Sequence, residues 1–299
     1  MAGSAERTAR HTPRPELGVL GAALLFGTTG TAQALGPDLT SPATVGAARL
    51  VVGGAALALI AVASGGLAAG RGRLRPRATV LAAAGVALYQ VTFFAAVART
   101  GVALGTVVAL GSAPAATGAL ALVLRRERPG PRWGLATILA VAGCALIVLP
   151  GGDAGADGLG VALALAAGAS YALYTVASKE LLDAGAAPTA VMGAAFGLAA
   201  VPAVPLLALG DSDWLGSAGG LALAAYLGLV PTALAYTLFA RGLRHLASAR
   251  VATLTLAEPL AAAGLGVLVL SERPSLLAAL GGLAVLSGLV LVATAPRRQ

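Results

Sequence analysis

The 299 residues are 58% hydrophobic and only 11% charged, with a formal net charge of +8, where a soluble domain carries about 25% charged residues. That composition excludes a soluble globular domain and places the chain in a membrane. The positive residues sit in short clusters between apolar runs rather than on a basic face, which excludes nucleic acid as a partner.

The chain opens on a polar stretch, 1–16, with Arg7, Arg10 and Arg14 ahead of the first apolar run. That run has the length of its successors, and no small-residue cleavage site leads from it to a soluble domain. It therefore reads as a cytoplasmic tail and a retained first span rather than a cleaved signal peptide. Apolar runs fall at roughly 17–35, 43–64, 78–98, 101–124, 132–150, 158–178, 188–209, 218–240, 247–270 and 275–295, each near the twenty residues that a spanning helix needs. Ten transmembrane helices are expected. The 41 glycines suit them, because small residues let membrane helices approach closely.

Alternate loops differ in charge. One set holds seventeen Lys and Arg; the other holds Arg99 and Arg273 beside Asp38, Asp153, Asp157, Asp211 and Asp213. Positive residues stay inside, which puts both termini in the cytoplasm and the protein in the cell membrane. Trp133 and Trp214 fall near span ends and read as interfacial anchors.

The second half echoes the first at an offset of 145 positions. Phe94-Ala95 falls on Phe239-Ala240, Pro114 on Pro259, Glu127-Arg128-Pro129 on Glu272-Arg273-Pro274, and Gly143 on Gly288. Five spans is an odd number, so the second copy enters the membrane upside down. The fold class is therefore all-α integral membrane, with a first five-helix repeat over 17–150 and a second, inverted one over 158–295, the arrangement of many secondary transporters.

These residues resemble the drug/metabolite transporter superfamily in its two-repeat EamA branch. The likeness rests on Phe26-Gly27, Arg49, Pro114 followed by Glu127-Arg128, Ser170-Tyr171-Ala172-Leu173-Tyr174, and Glu258-Pro259 followed by Glu272-Arg273. The family often has Trp where Phe26 and Tyr171 stand. The resemblance implies export of a small metabolite, such as an amino acid; multidrug or organic-cation efflux is the alternative, and an intramembrane enzyme a more distant one.

The candidate site residues are polar groups at depth. Glu258 lies about 12 Å into its span at 1.5 Å per residue, where burying a charge costs at least about 2.5–3.5 kcal/mol. It is either a proton-coupling or substrate group, or a carboxyl that stabilises the helix break at Pro259. Arg49 either receives an anionic group, pairs with Glu258 or a backbone carbonyl, or snorkels to the outer interface. Tyr89, Gln90, Tyr171 and Tyr174 are pocket candidates, with Thr28, Thr29 and Thr31 adding hydroxyls; interhelical hydrogen bonding is the other reading for each. Tyr236, close to a span end, reads as part of an aromatic belt.

Pro114 and Pro259 interrupt helices at matching places and are the gating candidates. No catalytic residue, metal or cofactor is expected. His11 and His245 lie outside the spans, the only lysine, Lys179, has no phosphate-cradling loop around it, and Cys144 is alone. The expected partners are a small-molecule substrate, the lipid bilayer and a proton gradient, in a monomer or homodimer.

Overall fold

A computed structural model describes residues 14–37, 41–70, 72–148, 157–271 and 273–295, and every regular element in them is helical. Arg7, Arg10, His11, Asp38, Arg71, Asp153, Glu272, Arg297 and Arg298, all used above, lie outside those residues. Proline opens α1 (Pro15–Ala34) and α2 (Pro42–Ala63), a position where its missing N–H costs nothing. The one-turn α3 (Gly66–Ala69) follows, and proline again opens α4 (Pro76–Arg125), α5 (Pro131–Val148) and, further on, α7 (Pro188–Ala200). Between the last two, α6 (Gly158–Asp183) starts where Asp157 accepts the Leu159 N–H at 3.1 Å, a side-chain cap.

Among the described residues, nine helical stretches are long and apolar enough to cross a membrane. One of them, α4, has 50 residues, about 75 Å if straight, against about 30 Å of hydrocarbon. It is not straight. Gly101 has φ 77° and ψ 162°, a region that only glycine readily adopts. Gly105 lies against Val97, about 12 Å away if the helix were continuous. The chain doubles back at Gly101, and α4 has two arms.

Three of the expected spans are segmented. The seventh stops at Ala200 and resumes past Pro202 as α8 (Ala203–Leu209). The eighth comprises α9 (Ala218–Gly228), a π-helical turn at Leu229–Leu234 that holds Pro231, and α10 (Ala235–His245). The ninth is α11 (Ser248–Leu254) and α12 (Ala257–Val269), parted at Thr255 and Leu256. Proline removes a backbone donor and crowds the preceding turn, and the bundle re-satisfies what is freed. Pro114 differs: the helix runs on through it. The backbone is interrupted before Pro259, at Thr255 and Leu256, and not at Pro114; Tyr171 meets the Thr255 hydroxyl at that gap.

The last helix, α13 (Leu276–Ala293), packs on α5, while α4 packs on α6, α2 on α7, and α1 on α10 and α12. Each partnership maps onto itself or another of the set under the 145-position shift. At the α5–α13 crossing, a methyl on Gly143 would lie 2.5 Å from the Gly281 carbonyl, and one on Gly288 would lie 2.6 Å from that of Ala136. Leucines point outward instead, Leu209 and Leu268 being 88% and 82% exposed, as lipid-facing residues do.

The arginine-rich end of the bundle is tied by charge. Arg125 pairs with Glu127 at 2.8 Å and with Asp183, which also takes Lys179 at 2.9 Å. Glu127 accepts the Ser248 N–H at the start of α11 at 3.1 Å. Arg250 pairs with Glu16 at 3.1 Å and donates to the carbonyls of Ala293 and Ala295 at 2.7 and 3.1 Å. At the opposite end, Arg99 meets Asp157 at 2.9 Å, and Trp214 donates to Thr44 Oγ1 at 3.1 Å. Trp133 donates to the Ala249 carbonyl at 2.9 Å. Both tryptophans, expected as interfacial anchors, are bonded into the bundle because each indole N–H finds an acceptor there and Gly118 makes room for Trp133.

Candidate functional site

A cavity of about 40 Å³ lies among α2, α4, α6, α7 and the π-helical turn, enough for a few waters. Arg49, Tyr89, Gln90, Tyr171 and Tyr174 line it, together with Phe196, Thr232 and Tyr236. Gly85 brings the first arm of α4 onto α6 at this wall, since a methyl there would sit 2.6 Å from the Tyr174 nitrogen.

Arg49 Nε donates to Thr232 Oγ1 at 3.0 Å, and that hydroxyl donates to the Leu227 carbonyl at 2.8 Å. The π-helical turn presents Thr232 to α2, and such turns recur at functional sites. Gly53 leaves the room for it. Among the described residues Arg49 forms no ion pair, with Glu258 or any other carboxylate, and its terminal nitrogens have no hydrogen-bond acceptor. Gln90 is fixed by donating to the Gly46 carbonyl at 3.0 Å.

The tyrosines divide by what their hydroxyls do. Tyr171 shares a hydrogen bond with Thr255 Oγ1 at 3.2 Å, which fastens α6 to the gap between α11 and α12. Tyr174 is 2% exposed, donates to Met192 Sδ at 3.4 Å and stacks on Phe239, so it packs as core. Tyr236 meets Phe196 and Phe26 at ring centroid distances of 4.2 and 4.9 Å. It belongs to the cavity rather than a belt, because α10 runs to His245 and sets the ring deeper. Tyr89 stacks on Phe93 at 5.4 Å, and its hydroxyl has no partner among the described residues.

Glu258 lies beside the cavity, not in its wall. It occupies the first turn of α12, immediately past the gap, and is partly exposed. Its carboxylate accepts no hydrogen bond from the described residues. Gly27 lets α1 press on this turn, a methyl there falling 2.9 Å from the Glu258 carbonyl oxygen. Phe26 therefore enters the aromatic cluster and Gly27 seats α12. Thr28 donates to the Leu25 carbonyl of its own helix at 2.7 Å, and the Thr28–Thr31 patch is not in the cavity wall.

The EamA-like transporter family matches residues 14–149 and again 158–294. The chain belongs to that family. It is 41% identical over 94% of both chains to the uncharacterized transporter YwfM of Bacillus subtilis (strain 168). It is 29% identical to an uncharacterized transporter of Archaeoglobus fulgidus, over 73% of this chain and 77% of the other. A crystal structure 23% identical in sequence superposes with a TM-score of 0.79, over 94% of this chain and 97% of the other; it shares the fold. This transporter is thus a multi-pass membrane protein, with a lipid bilayer around it and a small molecule as its substrate, and the family and relatives' names point to transport rather than catalysis.

Proposed function

We propose that the transporter is a secondary one, exporting a small metabolite such as an amino acid across the cytoplasmic membrane of a prokaryote by alternating access. With the two arms of α4 counted separately it has ten spans, in two inverted five-helix repeats over 17–150 and 158–295, both termini cytoplasmic. The contacts that interchange under the 145-position shift support this arrangement, as does a cavity built from both halves. Export as the direction follows from the family resemblance. So small a cavity admits a metabolite only by widening, which rocking of one half against the other provides.

Coupling to a proton gradient is assigned to Glu258, and one observation carries it: a partly exposed carboxylate, with no hydrogen bond from the described residues, at the start of a half-helix. The partial positive charge of a helix N-terminus holds such a carboxylate in place without neutralising it. The interruption is confined to the second copy, since α4 runs on through Pro114, so the carboxylate and its broken helix occur once per molecule. Arg49, with its terminal nitrogens unspent, receives an anionic group of the substrate, and Tyr89, Gln90, Tyr171 and Tyr174 shape the pocket. The aromatic cluster around Tyr236 favours a second reading, efflux of organic cations, whose charge ring faces attract; Arg49 in the same wall opposes it.

Proteoliposomes given an imposed pH gradient and a panel of amino acids and organic cations test the proposal. The native chain should accumulate a panel member against its gradient. Glu258→Gln should exchange it across the membrane without accumulating it. Accumulation by the variant at the native rate, with protons still moving, would make Glu258 structural.

A further inference from the structure

A groove of about 250 Å³ lies at the arginine-rich end, between the two arms of α4 and α6, away from the central cavity. Its polar rim is Arg75, Arg125 and Glu180, and its walls include Leu81, Leu124 and Leu173. Arg75 precedes α4, Arg125 is its last residue, and Glu180 lies in the last turn of α6. All three therefore sit where the apolar runs end, at the level of lipid headgroups. Leu81 lies six residues in from Arg75 and Leu173 seven from Glu180, about 9–11 Å at 1.5 Å per residue. The groove thus runs from headgroup level into the hydrocarbon, and Leu124, 62% exposed, leaves it open sideways to lipid.

Charge selects the occupant. Arg75 is 62% exposed and its contact with Glu180 is 3.4 Å long, a surface pair of little strength that another anion can displace. Arg126 and Arg128 stand exposed at the same end of the bundle. A zwitterionic lipid would bring its ammonium against these cations. A free phosphate would leave the leucine walls unused.

We propose that this groove is a binding site for an anionic phospholipid, its phosphate on Arg75 and one acyl chain along Leu81, Leu124 and Leu173. Basic pockets between helices hold anionic headgroups in this manner, and a ligand that binds only the folded state raises the unfolding midpoint.

The test follows the thermal unfolding midpoint of the full chain in detergent with added phosphatidylglycerol, phosphatidylcholine of the same acyl chains, or inorganic phosphate. Phosphatidylglycerol should raise the midpoint by several degrees, and the other two should leave it nearly unchanged. Arg75→Ala should abolish the rise. So should Leu124→Trp, which fills the groove without altering charge and keeps the test valid if Arg75→Ala folds poorly. Arg77→Ala, outside the groove, should retain it. Equal shifts from the two lipids, a shift from phosphate alone, or a loss in Arg77→Ala as large as in Arg75→Ala would overturn the proposal.

Discussion

The two ends of the bundle are held shut by different chemistry. At the arginine-rich end, Arg125 and Glu127 are each 18% exposed, and Arg250 and Glu16 are 11% and 10% exposed. At the opposite end Arg99 and Asp157 are 48% and 36% exposed, and among the described residues hydroxyl and indole bonds around Thr44 and Trp214 accompany them. Water screens an exposed pair and leaves it nearly worthless, whereas a sheltered pair is costly to break because one partner is stranded. The arginine-rich end is therefore the harder one to open, and in the alternating access proposed above each opening there would exchange its ion pairs for water contacts.

The contrast can be broken by single substitutions. Arg250→Ala has the largest expected effect, about 3 kcal/mol or more at roughly 1.5–3 kcal/mol per charged hydrogen bond, since it removes the pairing with Glu16 and the donor to the carbonyls of Ala293 and Ala295. Its unfolding midpoint in detergent should fall well below that of Glu16→Gln, in which an amide still meets the guanidinium. Arg125→Ala should cost about 1–3 kcal/mol and loosen that end. A cysteine placed at buried Ser178 should then react faster with a thiol reagent added from that side, and the native Cys144, buried, adds little background.

At the opposite end the effects shrink. Trp214→Phe keeps a ring in place and gives up the bond to Thr44, about 1 kcal/mol, readable as a small drop in midpoint. Arg99→Ala should change stability by about 0.5 kcal/mol or less, with little response to added salt. A loss as large as that of Arg125→Ala would remove the contrast between the ends.

The all-helical membrane fold is legible in the sequence because apolar length is a strong signal in a membrane chain. The split of α4 was already visible as two runs, 78–98 and 101–124, parted by the residues around Gly101. The interruptions within the seventh and eighth spans were not, because hydropathy is blind to a broken backbone; Pro202 and Pro231 were the available signs. An eighth span ending at residue 240 sets Tyr236 near the interface, whereas α10 reaches His245. Arg49, Tyr89, Gln90, Tyr171 and Tyr174 were picked out as polar groups at depth, and they share one cavity. Thr232 and Phe196 were missed. Thr232 bonds Arg49 across 183 positions, a pairing no local pattern encodes, and Phe196 looks like any other apolar residue in its run. Glu258 drew notice as a lone carboxylate, but its place on the first turn of a half-helix could be known only from the break at Thr255 and Leu256.

The bend at Gly101 also bears on how the chain is made. The arms on either side of it meet at a single residue, with no polar loop between them to be carried across the bilayer. In the ten-span arrangement proposed above, the two arms would enter the lipid together, as one helical hairpin. A side chain at position 101 would then be felt during biogenesis, as a fault in insertion, before it was felt in the finished protein.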